Sequence, residues 1–329
     1  MNQFFRSLSP DQQVGALFIL VFGLLGLASM AALLLSLRER SDTPEGEAAA
    51  ERLRSARRLL RTTWAMVSVF WLAWVLGERA ATVLFALVSF FALREFVTLS
   101  PTRRGDHRSL VLAFFVVLPL QYVLVATRHF ELFTVFIPVY VFLALPVVSA
   151  LANDPQRFLE RNAKLQWGIM VCVYGMSHVP ALLLLRFAHW EGRNAFLVFF
   201  LAAVVQTGML AQHLASRRWP RPPRAPQISQ SFNWRSWGIG VAAGSLTGAL
   251  LAGITPFKPG QALAMALIAC VAGSFGHLVM KALKRDRGVP SWGTEGRAVT
   301  GASGLLDRVD ALGFAAPVFF HSVRWYFGA

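Results

Sequence analysis

The chain has 329 residues, 55% of them hydrophobic and only 15% charged, with a formal net charge of +15 and a mean hydropathy of +0.51. A soluble domain of this length carries about 25% charged residues, and here the apolar residues come in long blocks, so a soluble enzyme domain is excluded. The two cysteines, Cys172 and Cys270, both lie inside apolar blocks and read as small core residues, which leaves no disulfide framework or metal pair.

The pattern predicts an all-α, polytopic integral membrane protein with about ten transmembrane helices, eight to ten if a short one is interfacial or re-entrant. In chain order the spans are 14–37, 59–77, 80–97, 109–126, 129–150, 166–188, 194–214, 237–256, 261–283 and 310–328. The third and fourth are short, and Pro317 interrupts the last. The first block is too long for a signal-peptide core and lacks a small-residue cleavage site after it.

Most of the Lys and Arg residues fall in alternate loops: after the first, third, fifth, seventh and ninth spans. By the positive-inside rule these loops are cytoplasmic and both termini lie outside, in a bacterial-type inner membrane. Such a face attracts anionic membrane lipids. Basic residues scattered over membrane loops do not make a nucleic-acid site. Residues 38–61 read as an amphipathic segment lying on the membrane, or equally as a solvated linker helix. Residues 215–236, rich in Pro and Arg, read as a linker between an N-terminal bundle (1–214) and a C-terminal unit (237–329).

Polar residues inside spans are few. Arg94 and Glu95 would snorkel or pair with other helices. His178, just before Pro180, would satisfy backbone groups freed at a kink. Gln206, Thr207 and Gln212 would face a cavity or bond to neighbouring helices, and Gly240, Gly244 and Gly248 would permit close helix packing. His277, Lys281 and Lys284 approximate one face of the ninth span, a surface suited to phosphate or to anionic lipid heads.

The densest chemistry lies in residues 276–310. A helix ends in Lys284-Arg285, a Gly-containing loop follows, and Asp307-Arg308-Val309-Asp310 opens the last span. Two carboxylates three residues apart share a helix face, and hard oxygens of this kind suit Mg²⁺ whose shell is completed by substrate phosphates. Equally, the aspartates could cap the helix and favour its dipole.

The order Lys-Arg, Gly-containing loop, Gly-x-x-Gly-Leu-Leu-Asp-Arg-Val-Asp resembles the C-terminal motif of the phosphatidate cytidylyltransferases, or CDP-diacylglycerol synthases. The likeness continues through "ALGFAAPVFFHSVRWYF" and, more weakly, "FALREF". It implies conversion of CTP and phosphatidate to CDP-diacylglycerol and pyrophosphate, with Mg²⁺, at the cytoplasmic face. It also implies that Asp307 and Asp310 are metal and catalytic residues. Lys284 and Arg285 would act on phosphate charge, and Arg308, Lys281, His277 and Ser229 would line the nucleotide site. The expected partners are phosphatidate, anionic lipids and CTP, with a homodimer as a further option.

The chain departs from that family pattern at defined places. His277 stands where an aspartate is expected, Pro290-Ser291 where a Lys-Asp pair is, and Ala302-Ser303 where a histidine and glycine are. Phe232 replaces a lysine in a segment that keeps Ser229 and Trp234, and an acidic residue is missing near Gly208-Met209. Two function classes therefore stand: a cytidylyltransferase with a rebuilt site, or a catalytically degenerate member that binds lipid or partners lipid-synthesis enzymes. A transporter would show inverted repeats or matched broken helices, and neither is visible.

Overall fold

The computed structural model describes residues 9–38, 76–100, 102–187, 193–289 and 304–328, together with Trp190, Trp292 and single positions between 53 and 75. Among these residues the structure is helical, with one isolated β-bridge, Ala225 to Ser229, inside a short hairpin. Seven helices are long and apolar enough to cross a membrane. The protein is a polytopic helical membrane protein.

The helices are α1 (Pro10–Arg38), α2 (Glu78–Thr98), α3 (Arg104–Ala126), α4 (Phe130–Ala150), α5 (158–183), α6 (Ala195–Arg218), α7 (Trp234–Leu250), α8 (Pro259–Asp286) and α9 (Leu306–Phe327). The two spans expected to be short are full length, because the charged flanks Glu78–Arg79 and Arg104–Arg108 continue the helix beyond the apolar core. Pro317 does not interrupt the last span, since α9 runs through it. Much of the expected second span and most of the 38–61 segment lie outside the described residues.

The chain divides into two compact units, 1–81 and 82–329. In the first, α1 buries an aromatic stripe: Phe22 stacks on Trp64, Phe18 meets Trp74, and the Trp64 indole donates to Ser29 Oγ at 3.0 Å. Ile19, Leu20, Leu24 and Leu27 of α1 are exposed, as suits a face turned to lipid. The 215–236 segment lies within the second unit, and the helices on either side of it, α6 and α7, pack on each other.

Close backbone approach holds the second unit together. A Cβ on Gly240 would meet Gly208 O at 2.6 Å, one on Gly244 would meet Cys270 Sγ at 2.1 Å, and one on Gly248 would meet the Ala266 Cβ at 2.2 Å. The small-residue stripe on α7 is thus a packing seam against α6 and α8, where dispersion replaces the hydrophobic drive that lipid does not supply. A second seam joins α5 to α9, where a Cβ on Gly175 would fall 2.2 Å from Gly313 O.

Three π turns, Ala113–Val117, Phe136–Val141 and Met170–Gly175, sit at or before Pro119, Pro138 and Pro180. Each widens the helix where a proline removes a donor. His178 answers the last of these, its Nδ1 donating to Tyr174 O at 2.7 Å, so it serves backbone groups as expected.

Candidate active site

Helices α8 and α9 run antiparallel, with the end of one against the start of the other. The i, i+4, i+7 spacing puts His277, Lys281 and Lys284 on one face of α8. The i, i+3 spacing puts Asp307 and Asp310 on the facing side of α9. Two rungs result. Deeper in, His277 Nδ1 donates to Asp310 Oδ2 at 2.8 Å, and the Asp310 side chain is only 4% exposed. Nearer the helix ends, Lys284 Nζ meets Asp307 Oδ1 at 2.5 Å. The second Asp307 oxygen accepts the backbone N–H of Trp292 at 2.8 Å.

Lys281 lies between the rungs along α8. It reaches Ser229 Oγ at 3.5 Å, the outer limit of a hydrogen bond, and Ser229 is buried. Ser229 is fixed by the hairpin that follows α6: Arg224 N donates to Phe232 O at 2.9 Å, and Asn233 caps α7 through Ser236 N at 2.9 Å. The structure therefore brings together His277, Lys281, Lys284, Asp307, Asp310 and Ser229. Arg285 is exposed at the end of α8 and Arg308 is half-buried on α9.

Two further elements complete the site: Glu95, read from the sequence only as a residue that would snorkel or pair with other helices, and Trp292, which the sequence reading missed. Glu95, buried on α2, accepts Leu305 N at 3.0 Å and Leu306 N at 2.9 Å, one with each carboxylate oxygen. It satisfies two of the orphan N–H groups at the start of α9 and sets a negative charge at the positive end of the helix dipole. Trp292, also buried, stacks on Phe96 one residue along α2, with ring centroids 5.5 Å apart. An acidic residue inside the apolar run "FALREF" was the available signal, but nothing in one dimension tied it to residue 305.

The basic loops that belong to the second unit share this end of it. Arg161, buried at the start of α5, pairs with Asp106 at 2.9 Å and Asp154 at 2.7 Å, and Arg103 donates to Gln156 at 2.7 Å. Burial works against the Asp154 charge, yet the Gln156 N–H and the Arg161 guanidinium hold that carboxyl below its ordinary range.

The sequence of the whole unit bears on what this site is. Residues 57–326 match the model of the cytidylyltransferase family. The chain belongs to the cytidylyltransferase family. It is 35% identical over 271 residues to the uncharacterized protein YnbB of Escherichia coli K12, covering 81% of this chain and 86% of that one. It is also 34% identical over 125 residues to a phosphatidate cytidylyltransferase of Brucella melitensis and 33% identical to one of Brucella suis. Each of those two matches covers 37% of this chain and 45% of the relative, so the chain aligns with under half of either enzyme's length.

Against the cytidylyltransferase motif, the departures have structural counterparts. His277 gives the Asp310 carboxylate a donor where an aspartate would be a second acceptor. Phe232 is buried against Trp234 and Phe275, so the lysine position has become part of an aromatic cluster. Gly208 is tightly flanked, since a Cβ there would meet Cys270 Sγ at 3.0 Å and Gly240 O at 3.3 Å, so an acidic side chain would require its neighbours to shift. Pro290, Ser291, Ala302 and Ser303 lie outside the described residues. Among the described residues no three His, Cys, Asp or Glu side chains gather as a metal cage. The oxygens of Asp307 and Asp310 already accept protein donors, but a carboxylate oxygen keeps a second lone pair. The donor set thus fits a magnesium ion carried largely by substrate phosphates, and does not fit one caged by protein alone.

Proposed function

We propose that this cytidylyltransferase-family protein transfers the cytidylyl group of CTP to phosphatidate, releasing pyrophosphate and forming CDP-diacylglycerol for phospholipid synthesis. The observation that supports this most is the antiparallel α8/α9 array. It sets two carboxylates, one buried and one half-buried, and three cationic or imidazole side chains face to face, beside a hydroxyl from the α6–α7 hairpin. In the reaction a lipid phosphate oxygen bonds to the α-phosphorus of CTP. The bond from that phosphorus to the oxygen bridging toward the β-phosphate breaks, and its electron pair leaves on pyrophosphate. The attacking phosphate is already anionic at neutral pH, so the protein's task is alignment and charge balance.

In this reading Lys281 and Arg308 hold phosphate oxygens, and Arg285 draws the nucleotide to the rim. Lys284 and His277 hold Asp307 and Asp310 in place. A Mg²⁺ ion, bound through Asp307, Asp310 and substrate phosphates, would neutralise charge on the departing pyrophosphate. The basic loops face the cytoplasm of a bacterial-type inner membrane with both termini outside, which the loop charges favour.

The test is a product assay. Protein purified in detergent is incubated with labelled CTP, phosphatidate and Mg²⁺, and CDP-diacylglycerol is measured. Product should form, and Asp307→Asn and Asp310→Asn should each lower kcat by about 100-fold or more. Folded wild type without product overturns the reaction, and undiminished product in both variants overturns the site. One observation favours a second reading. Both aspartates already accept hydrogen bonds from partners on α8, which suits a member that binds phosphatidate without transfer. Phosphatidate binding with no product in the same assay would select it.

A further inference from the structure

A second polar cluster lies where α5 meets the far end of α9. His321 stands roughly 21 Å along α9 from Asp307, at about 1.5 Å of rise per residue. His178 of α5 is fully buried, and its ring is enclosed by those of Phe133, Tyr174, Phe320 and His321. Its Nδ1 donates to Tyr174 O at 2.7 Å, so its Nε2 carries the lone pair. Among the described residues nothing donates to that Nε2. A buried acceptor left open is costly, and at an ionisable residue inside a span it points to a function. The same bookkeeping of protons applies to His321. The Tyr174 hydroxyl donates to Thr134 O at 3.3 Å, a carbonyl that can only accept. The phenol oxygen therefore accepts from His321 Nε2 at 3.2 Å, which leaves the His321 lone pair on Nδ1.

We propose that His178 and His321 bind one divalent transition-metal ion of the zinc type between α5 and α9, at the end of α9 remote from Asp307 and Asp310. Each imidazole is already oriented through its other nitrogen, one on a backbone carbonyl and one on a hydroxyl, as metal-ligating histidines are. With metal–nitrogen bonds of about 2.0–2.1 Å and a tetrahedral angle, two imidazoles on one ion set their ring centroids roughly 5 Å apart. The two centroids here are 5.2 Å apart. Imidazole nitrogen suits zinc, copper and nickel, whereas magnesium keeps to oxygen ligands, so this site selects against the ion assigned to the reaction. Two protein ligands leave the remaining positions to water or a small exogenous ligand. An approach exists on the His321 side, which is half-buried. One turn further along α9, Arg324 pairs with Glu131 at 2.6 Å, and the Glu131 side chain is 93% exposed. That pair marks the aqueous border and offsets the cation nearest to His321. A bound ion would tie α5 to the helix that carries Asp307 and Asp310. The site uses none of the residues assigned to cytidylyl transfer and does not depend on that reading.

The experiment measures thermal unfolding of the full-length protein, free of any histidine tag, in neutral detergent with Zn²⁺ alone as the probe. An ion bound only by the folded state raises the midpoint in a dose-dependent way. Zn²⁺ should stabilise wild type, and His178→Ala and His321→Ala should each weaken the apparent affinity by about 100-fold. Tyr174→Phe removes only the hydroxyl that orients His321 and should weaken it by about 10-fold. Asp307→Asn should leave the zinc response unchanged, which separates this ion from one bound at the α8/α9 rungs. If His178→Ala does not fold, His321→Gln at the half-buried position carries the same test. Co²⁺ in place of zinc should give the visible absorption of a tetrahedral site, lost in the same variants. No zinc response in wild type overturns the site and leaves the His178 lone pair to a water molecule. A response equal in wild type and both histidine variants, or lost only in Asp307→Asn, overturns it as well. Absence of CDP-diacylglycerol in the product assay bears on the enzyme reading alone.

Discussion

At the residue scale, the exchange of an expected aspartate for His277 decides the state of the site. A histidine donor beside Asp310 makes a hydrogen-bonded pair, whereas a carboxylate there would repel its neighbour unless a cation lay between them. His277→Asp should therefore lower the unfolding midpoint by at least about 3 °C in EDTA, and Mg²⁺ should restore it. Wild type should respond to Mg²⁺ much less. A midpoint for the variant that ignores Mg²⁺ would argue against Asp310 as a metal ligand. Glu95 makes a different point. It holds no place in the α8/α9 rungs, yet it satisfies two N–H groups of α9. Glu95→Ala strands both in a buried setting, and unfolding in detergent should show a loss on the order of 1–3 kcal/mol. The spacing of His277, Lys281 and Lys284, and of Asp307 and Asp310, was legible because helical periodicity fixes which residues share a face. Glu95 was not legible as a cap, because its partners lie 210 and 211 residues away in sequence.

At the element scale, the α6/α7/α8 packing depends on the absence of side chains. Gly248 is the clearest position, since its added Cβ would meet the Ala266 Cβ at 2.2 Å, then Ala262 O at 3.1 Å and Phe200 Cζ at 3.2 Å. Gly248→Ala should destabilise by about 1–3 kcal/mol through overpacking. Adding Ala266→Gly removes the nearest obstacle, and the double variant should recover most of the loss. An additive result in that cycle would show that the two positions do not touch. The Gly-every-four pattern disclosed a seam from sequence, but its partners, Gly208 of α6 and Cys270 and Ala266 of α8, are visible only in the folded protein. The segmentation was legible for the same reason that membrane topology generally is: a span must satisfy its own backbone, so apolar blocks become helices. The ends of α2 and α3 were misjudged because charged flanks can prolong a helix that an apolar window truncates.

At the scale of the whole molecule, the contacts of Arg161, Arg103, Glu95, Lys281 and Lys284 gather the basic loops of the second unit at one end. If that end is cytoplasmic, single cysteines at Asn153 and Arg221 should react with an impermeant maleimide only after the membrane is opened, and one at Thr127 should react in intact cells stripped of their outer envelope. Cys172 and Cys270 are buried and free and should remain silent. Labelling at Asn153 in intact cells would invert the orientation. The sequence by itself determined the class of protein, the approximate positions of its described helices and the helix faces that carry charge, because apolar length and helical period are local properties. Only the tertiary structure decided how those charges are spent. Asp307 and Asp310 looked like a pair of open metal ligands, and folding gives each a cationic or imidazole partner from α8, while Lys281 is left facing Ser229. Which charge meets which is set by the register between α8 and α9, and that register is fixed by packing across the chain rather than by any short stretch of it.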